Sequence, residues 1–378
     1  MKVLTQKMIT YIKNSKKGKI YAVFLVIYLA VMGFVMNDAW LYQTPIAKLT
    51  NVETKVTSEG KSTRGTKEIK YKQSIQGTVI NGKSKGKRVG FFNEYTYTGM
   101  LKQQYHKGDK VFLSGSEENV GSGIRGIKRD TEIVMLLGLL ICILIAVAGK
   151  KGILTIITVL LNIFIFAAGF LRADDNADIF SICNKLVLLF ALVTLIGLNG
   201  VHKKTWAALL STLCVLAIIM GIFDVVIHHV EELDYSTMEY LGSIDNPDEI
   251  FHAEILLSGL GAIMDVSVAI SAALGEIVKQ KPDATFLQLF KSGREIGYDI
   301  MGTMINVLMF VFGCGLIPMC LIRMNNSVRF VTIIKLHIPC EICRFLIESI
   351  GIVLSIPVSI LITSAVMKIS AKKEAKAC

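Results

Sequence analysis

Residues 254–278, EILLSGLGAIMDVSVAISAALGEIV, decide how this chain is read. The segment is apolar and long enough to cross a bilayer, yet Asp265 falls near its middle. At 1.5 Å per residue, Asp265 is about 17 Å from either end. That is close to the midplane of a hydrocarbon core about 30 Å thick. A carboxylate there costs at least about 2.5–3.5 kcal/mol, and such residues face a bundle interior, a partner or a water-filled path. Steps of three and four put Ser258, Gly261, Asp265, Ala269, Ala272 and Glu276 on one helix face. Small residues beside a carboxylate permit close helix approach, so this face is expected to point inward.

Seven further apolar runs surround this one, at about 20–36, 133–149, 153–171, 179–199, 205–227, 300–322 and 344–367. With the Asp265 segment they predict an all-α transmembrane bundle of about eight helices. Of the 378 residues, 52% are hydrophobic, too many for a soluble chain of this length. The net charge of +11 resides in the N-terminus, one polar segment and short loops, a pattern of membrane topology rather than of nucleic-acid binding. Basic loops at 150–151, 202–204, 279–294 and 368–376 alternate with acidic ones at 172–178 and 228–252. The bias puts both termini in the cytoplasm and the acidic loops outside. The basic loop 323–343 departs from this alternation. Lysines before residue 20 resemble a signal-peptide flank, but no A-x-A site follows, so the first run is taken as a retained anchor.

The polar segment 37–131 is expected outside the cell. Asn81-Gly82 and Lys107-Gly108-Asp109 are turn signals between alternating apolar residues, and they predict strands within 75–113. This implies a small β-rich, OB-like domain, with 49–70 loose. The domain limits are then 1–36 for the N-terminus and anchor, 37–131 for the β domain, 132–367 for a seven-helix domain and 368–378 for a basic tail. None of the 8 cysteines lies in 37–131, so that domain must hold together by packing alone. Cys340 and Cys343 are expected as apolar helix-surface residues.

Further polar residues fall within the later spans. Asp299, Gly302, Thr303, Asn306 and Gly313 share one face of DIMGTMINVLMFVFGCG. Asn306 is the expected hydrogen-bond partner of Asp265, or else interhelical glue. Asp299 is expected at a helix start, where a carboxylate meets the helix dipole favourably. A short amphipathic helix is expected before it, around Phe286–Phe290. Gly261 and Gly302 are expected at close helix crossings. Glu341, Arg344 and Glu348 follow at steps of three and four, so Arg344 can bridge both acids. Asp224, His228 and His229 are weak metal candidates. No nucleotide, zinc-protease or nucleophile-elbow motif is present, so no cofactor, resident metal or enzymatic activity is expected.

The order G-x-x-x-D, E-I-V, S-G-R-E-I-G-Y-D-I-M-G-T-M-I-N, then E-x-x-R and S-I-G with I-P-x-S resembles the YibE/F family of bacterial membrane proteins. Matching positions include Gly261, Asp265, Glu276, Ser292, Gly293, Gly297, Asp299, Gly302, Thr303 and Asn306. Val307 stands where the family usually carries threonine. The exported G-T-V-I-N-G-K-S-K-G-K and K-G-D-K-V segments are similar to that family's extracytoplasmic domain. The resemblance implies a multipass protein of the bacterial plasma membrane, described as transporter-like, without naming a substrate. Two functions are therefore expected. One is a permease for a small solute or ion, coupled to protons or sodium through Asp265, with Asn306, Glu276, Asp299, Glu348 and Arg344 as further candidates. The other is a non-transporting assembly or sensor protein whose β domain binds an extracytoplasmic partner. In either case the lipid bilayer is the chain's surrounding.

Overall fold

The computed structural model describes residues 16–61, 67–96, 103–115, 120–171, 179–229 and 247–377. It has two compact units, Met1–Ile153 and Leu154–Cys378.

The first unit opens with α1 (Lys16–Met36) and a 3-10 turn at Asp38–Leu41. Five strands follow: β1 (Ile46–Lys61), β2 (Lys67–Val79), β3 (Arg88–Thr96), β4 (Lys110–Gly115) and β5 (Val120–Ile127). They form one antiparallel sheet in the order β3-β2-β1-β4-β5. β1 pairs with β2 from Ala47↔Val79 to Lys61↔Lys67, and its first residues also pair with β4. The expected looseness of 49–70 is thus corrected for 49–61 and 67–70, while 62–66 lie outside the described residues. Their Lys-, Ser- and Thr-rich composition resembles a loop, but the two segments satisfy each other's backbone groups along a long ladder. The turn at Asn81-Gly82 is present as expected. Gly82 has φ 66°, and the Asn81 amide donates to the carbonyls of Tyr42 and Thr44 at 2.8 and 2.9 Å.

The core of the sheet is Ala47, Leu49, Ile75, Val79, Phe91, Val111 and Leu113, with Tyr105. Each large member contributes roughly 1.5–3 kcal/mol by burial. Gln73 is fully buried among them, and its Nε2 donates to the Tyr105 carbonyl at 2.9 Å. Below the sheet Lys128 is almost wholly buried. Its ammonium lies 2.5 Å from both Asp38 and Asp130, and Tyr42 donates to Asp130 at 2.8 Å. These contacts tie the turn after α1 to the start of α2 (Asp130–Ala148). Gly138 of α2 lets α1 approach closely, because a Cβ there would run into the Tyr28 ring.

The second unit is helical. Its elements are α3 (Lys150–Leu171, which begins in the first unit), α4 (Ile179–Asn199), α5 (Lys203–His229), α6 (Pro247–Gln280), α7 (Phe286–Asn325), α8 (Phe330–His337) and α9 (Pro339–Ala377). Among the described residues seven helices are long and apolar enough to cross a membrane: α2 to α7 and α9. In α1 the apolar stretch is Tyr21–Met36, shorter than these. α9 packs against α5, α6 and α7. Phe223, Phe251, Ile219, Ile255 and Ile263 fill one core cluster, and Ile270, Leu274, Leu289, Ile352, Ile356 and Ile360 fill another. Hydroxyls join α6 to α9 inside these layers: Ser359 donates to Ser267 at 3.1 Å, and Ser271 meets Thr363 at 2.8 Å. Such pairs are interhelical glue where hydrophobicity alone gives no association.

The short amphipathic helix expected around Phe286–Phe290 is continuous with the following span. Thr285 and Gln288 form a capping box that starts α7, and no breaker follows until Pro318. Asp299 therefore lies more than three turns inside α7, not at its start. The close crossings are at Gly293 and Gly297. A Cβ there would come within 2.7 Å of Ile360 and 2.5 Å of Ile356.

Candidate functional site

α6, α7 and α9 enclose a cleft of about 480 Å³. One wall is apolar and comes from α7: Met304, Val307, Leu308, Val311, Phe312 and Leu316. Ser258 and Ala262 of α6 form a second wall, and Glu341, Arg344, Phe345 and Glu348 of α9 a third. The i, i+3, i+4 and i+7 spacing on α9 is what stacks its three charged residues along one edge.

Arg344 pairs with Glu341 on its own helix and with Glu254 of α6 at 3.3 Å. Glu348 is only 3% exposed. It does not pair with Arg344, the bridge the spacing allowed; its Oε1 accepts a short hydrogen bond from the Ser258 hydroxyl. The rings of Phe312 and Phe345 stack with centroids 5.6 Å apart. The cleft thus combines apolar walls, an aromatic pair and charge at one edge, the composition of a small-molecule site.

Asp265 is elsewhere. Leu256, Leu260, Ile263, Ile270 and Leu274 are buried in the core, whereas Ser258, Gly261, Asp265 and Glu276 are exposed. The face of α6 expected to point inward is therefore exposed at Gly261, Asp265 and Glu276, although its Ser258 reaches Glu348 of α9 and its Ala269 and Ala272 are half-buried. A Cβ on Gly261 or on Gly302 would meet nothing within 4 Å, so neither glycine makes the close crossing expected of it. α7 repeats the pattern. Its packed face carries Gly293, Gly297 and Met304, while Asp299, Gly302, Thr303 and Asn306 are exposed. The Asn306 amide donates to the Gly302 carbonyl of its own helix at 2.7 Å, and Thr303 donates to the Ile300 carbonyl at 2.8 Å. Asp265 has no hydrogen bond or ion pair among the described residues, so Asn306 is not its partner. Asp265 lies one turn beyond Ala262, hence just past the end of the cleft.

Glu254 is the site residue that the sequence reading passed over. Its signal was spacing: Glu254, Ser258, Gly261 and Asp265 fall at i, i+4, i+7 and i+11. Asp224 pairs with His252 at 2.9 Å, and His229 bonds the Val225 carbonyl at 2.8 Å. The acidic loop that would complete a metal site lies outside the described residues, apart from its ends. Among the described residues no group of three or more acidic, His or Cys side chains could hold a metal ion. Neither Cys340 nor Cys343 forms a disulfide among the described residues, and both pack at the helix core.

Seven membrane-capable helices among the described residues, with an antiparallel sheet early in the chain, define a multipass membrane protein. The family follows from sequence models. Residues 136–369 match the model described as YibE/F-like protein, and residues 40–127 match the YibE/F family N-terminal domain. The chain belongs to the YibE/F family, as the motifs around Asp265 had indicated. No curated protein and no solved structure matches it.

Proposed function

We propose that this protein is a permease-like protein of the bacterial plasma membrane that moves a small solute or ion. One observation carries the proposal: a nearly buried carboxylate, Glu348, on the wall of a cleft formed by three membrane-capable helices. A charge is retained in such a place at a cost, which function justifies more readily than stability. Asp265, adjacent to the cleft and near the midplane, is the coupling residue for protons or sodium. No nucleotide-binding or catalytic motif competes with this reading.

The rest of the architecture fits it. α1 is the eighth span, its apolar core flanked by Lys16, Lys17 and Lys19. The sheet order, with β3 approaching β5, supports reading the β domain as a five-stranded Greek-key barrel of the OB type. That barrel, within 37–131, lies outside the cell, and both termini and the tail 368–378 lie inside. A cysteine placed at Lys203 should resist external labelling in intact cells; labelling there overturns this orientation.

A second reading has an observation of its own. The polar faces of α6 and α7 point away from the core of their unit, and lipid cannot satisfy Asp265. A membrane partner seated there would make the protein an assembly or sensor component, with the β domain as its external docking module. Reconstitution in liposomes with a pH or sodium gradient and a reporting dye separates the two. Permeation predicts ion flux that Asp265→Asn abolishes; equal flux from both proteins favours assembly.

A further inference from the structure

We propose that the cleft between α6, α7 and α9 binds an organic ammonium ion with an apolar tail, its cation seated at Glu348. The proposal deepens the permease reading, since it names the class of solute for the same cleft.

Charge sets the sign of the ligand. Glu254, Glu341 and Glu348 stand against one guanidinium, Arg344, so two negative charges are uncompensated when all are ionised. Arg344 is already shared between Glu254 and Glu341. Among the described residues Glu348 has only the Ser258 hydroxyl, bonded to one of its two oxygens. The α7 wall brings no charged side chain at all. An anion entering here would meet surplus carboxylate in a low dielectric, where like charges repel strongly. An ammonium ion would supply both the missing charge and a donor for the second Glu348 oxygen.

Shape and lining set the rest. A volume of about 480 Å³ far exceeds that of a bare ion and matches small-molecule sites. A hard metal ion asks for six or more oxygen ligands, and the α7 wall offers it side chains that are all apolar. The stacked Phe312 and Phe345 rings offer π faces to a cation and apolar surface to its tail.

The test is equilibrium dialysis of radiolabelled phenethylamine against the full-length protein in detergent. Neutral 2-phenylethanol and anionic phenylacetate serve as matched probes. The wild type should bind the amine and discriminate against both analogues by tenfold or more. Glu348→Gln should weaken amine binding by at least about tenfold, the size of one lost charge-assisted contact. Val311→Trp changes no charge and fills the cleft, so it should remove binding of every probe. Amine affinity unchanged in either variant overturns the proposal, as does 2-phenylethanol binding as tightly as the amine. The ammonium can come from a free solute or from a phosphatidylethanolamine headgroup. Displacement of the bound amine by that lipid in nanodiscs, and not by phosphatidylglycerol, assigns the headgroup; no displacement assigns the free solute. Amine binding without amine uptake in liposomes would sink the permease reading and leave this one standing.

Discussion

Lys128 and Glu348 are both nearly buried, at 4% and 3% exposure, yet their surroundings are opposite. Lys128 is enclosed by Asp38, Asp130, the Tyr42 ring and the Val35 carbonyl, so its charge and its hydrogens are met within the protein. Among the described residues Glu348 has a single hydroxyl partner, and it faces open volume. A compensated, closed cluster stabilises a junction. An undercompensated cluster beside a cleft is a place for something else to bind. On the proposed reading, the contrast separates structural charge from functional charge.

The largest effect should come from breaking the closed cluster. Lys128→Met leaves the buried Asp38 and the half-buried Asp130 without a cation and should cost about 3–5 kcal/mol, read by chemical or thermal unfolding. A loss below 1 kcal/mol would mean that water already reaches the junction. The same cluster sets a pH window. Burial alone would push the Lys128 ammonium down, but the Asp130 and Asp38 carboxylates outweigh it and hold it above the ordinary 10.5. A raised folded value stabilises fully below the unfolded value and is lost as pH rises through the folded one. The Lys128 contribution should therefore persist through neutral pH and fade only above about 10.5. In Lys128→Met this alkaline decline should be smaller.

Packing gives the next effect. Gly297→Leu should overpack against Ile356 and cost roughly 1–3 kcal/mol. Gly261→Leu and Gly302→Leu should leave thermal stability within about 0.5 kcal/mol, because nothing stands near either position. Destabilisation by Gly261→Leu, with a fall in apparent mass by light scattering, would identify a partner on the outward face and strengthen the assembly reading. The open cluster, too, should contribute little to stability. Glu348→Gln keeps the shape of the side chain and its bond to Ser258, so unfolding should shift by less than about 1 kcal/mol. A loss as large as that of Lys128→Met would erase the distinction between the two clusters.

Much of this fold could be seen in the residues. The long apolar runs located the spans, and Asn81-Gly82 located a hairpin because few sequences accept its positive φ. β1, β5 and the first part of β2 were harder to see, since their polar alternation becomes ordered only by pairing with one another and with β4. The exposure of Gly261 and Asp265 on α6 departs from expectation for a different reason. Spacing shows which residues share a face, but lipid is as apolar as a leucine core, so hydrophobicity does not say which face turns inward. Leu256, Ile263 and Ile270 proved to be the packed side. The α9 charges were visible as a group. Their partners Glu254 and Ser258 lie some 90 residues away, a pairing that only the packing of α6 against α9 creates.

The most direct measurement is uptake of labelled phenethylamine into liposomes carrying the purified protein, compared with liposomes carrying Glu348→Gln of matched orientation and thermal midpoint. Wild-type liposomes should accumulate the amine when a pH or sodium gradient is imposed, and the variant should not exceed protein-free vesicles. Equal uptake by both proteins would contradict the assignment of the cleft at Glu348 as the path of the solute.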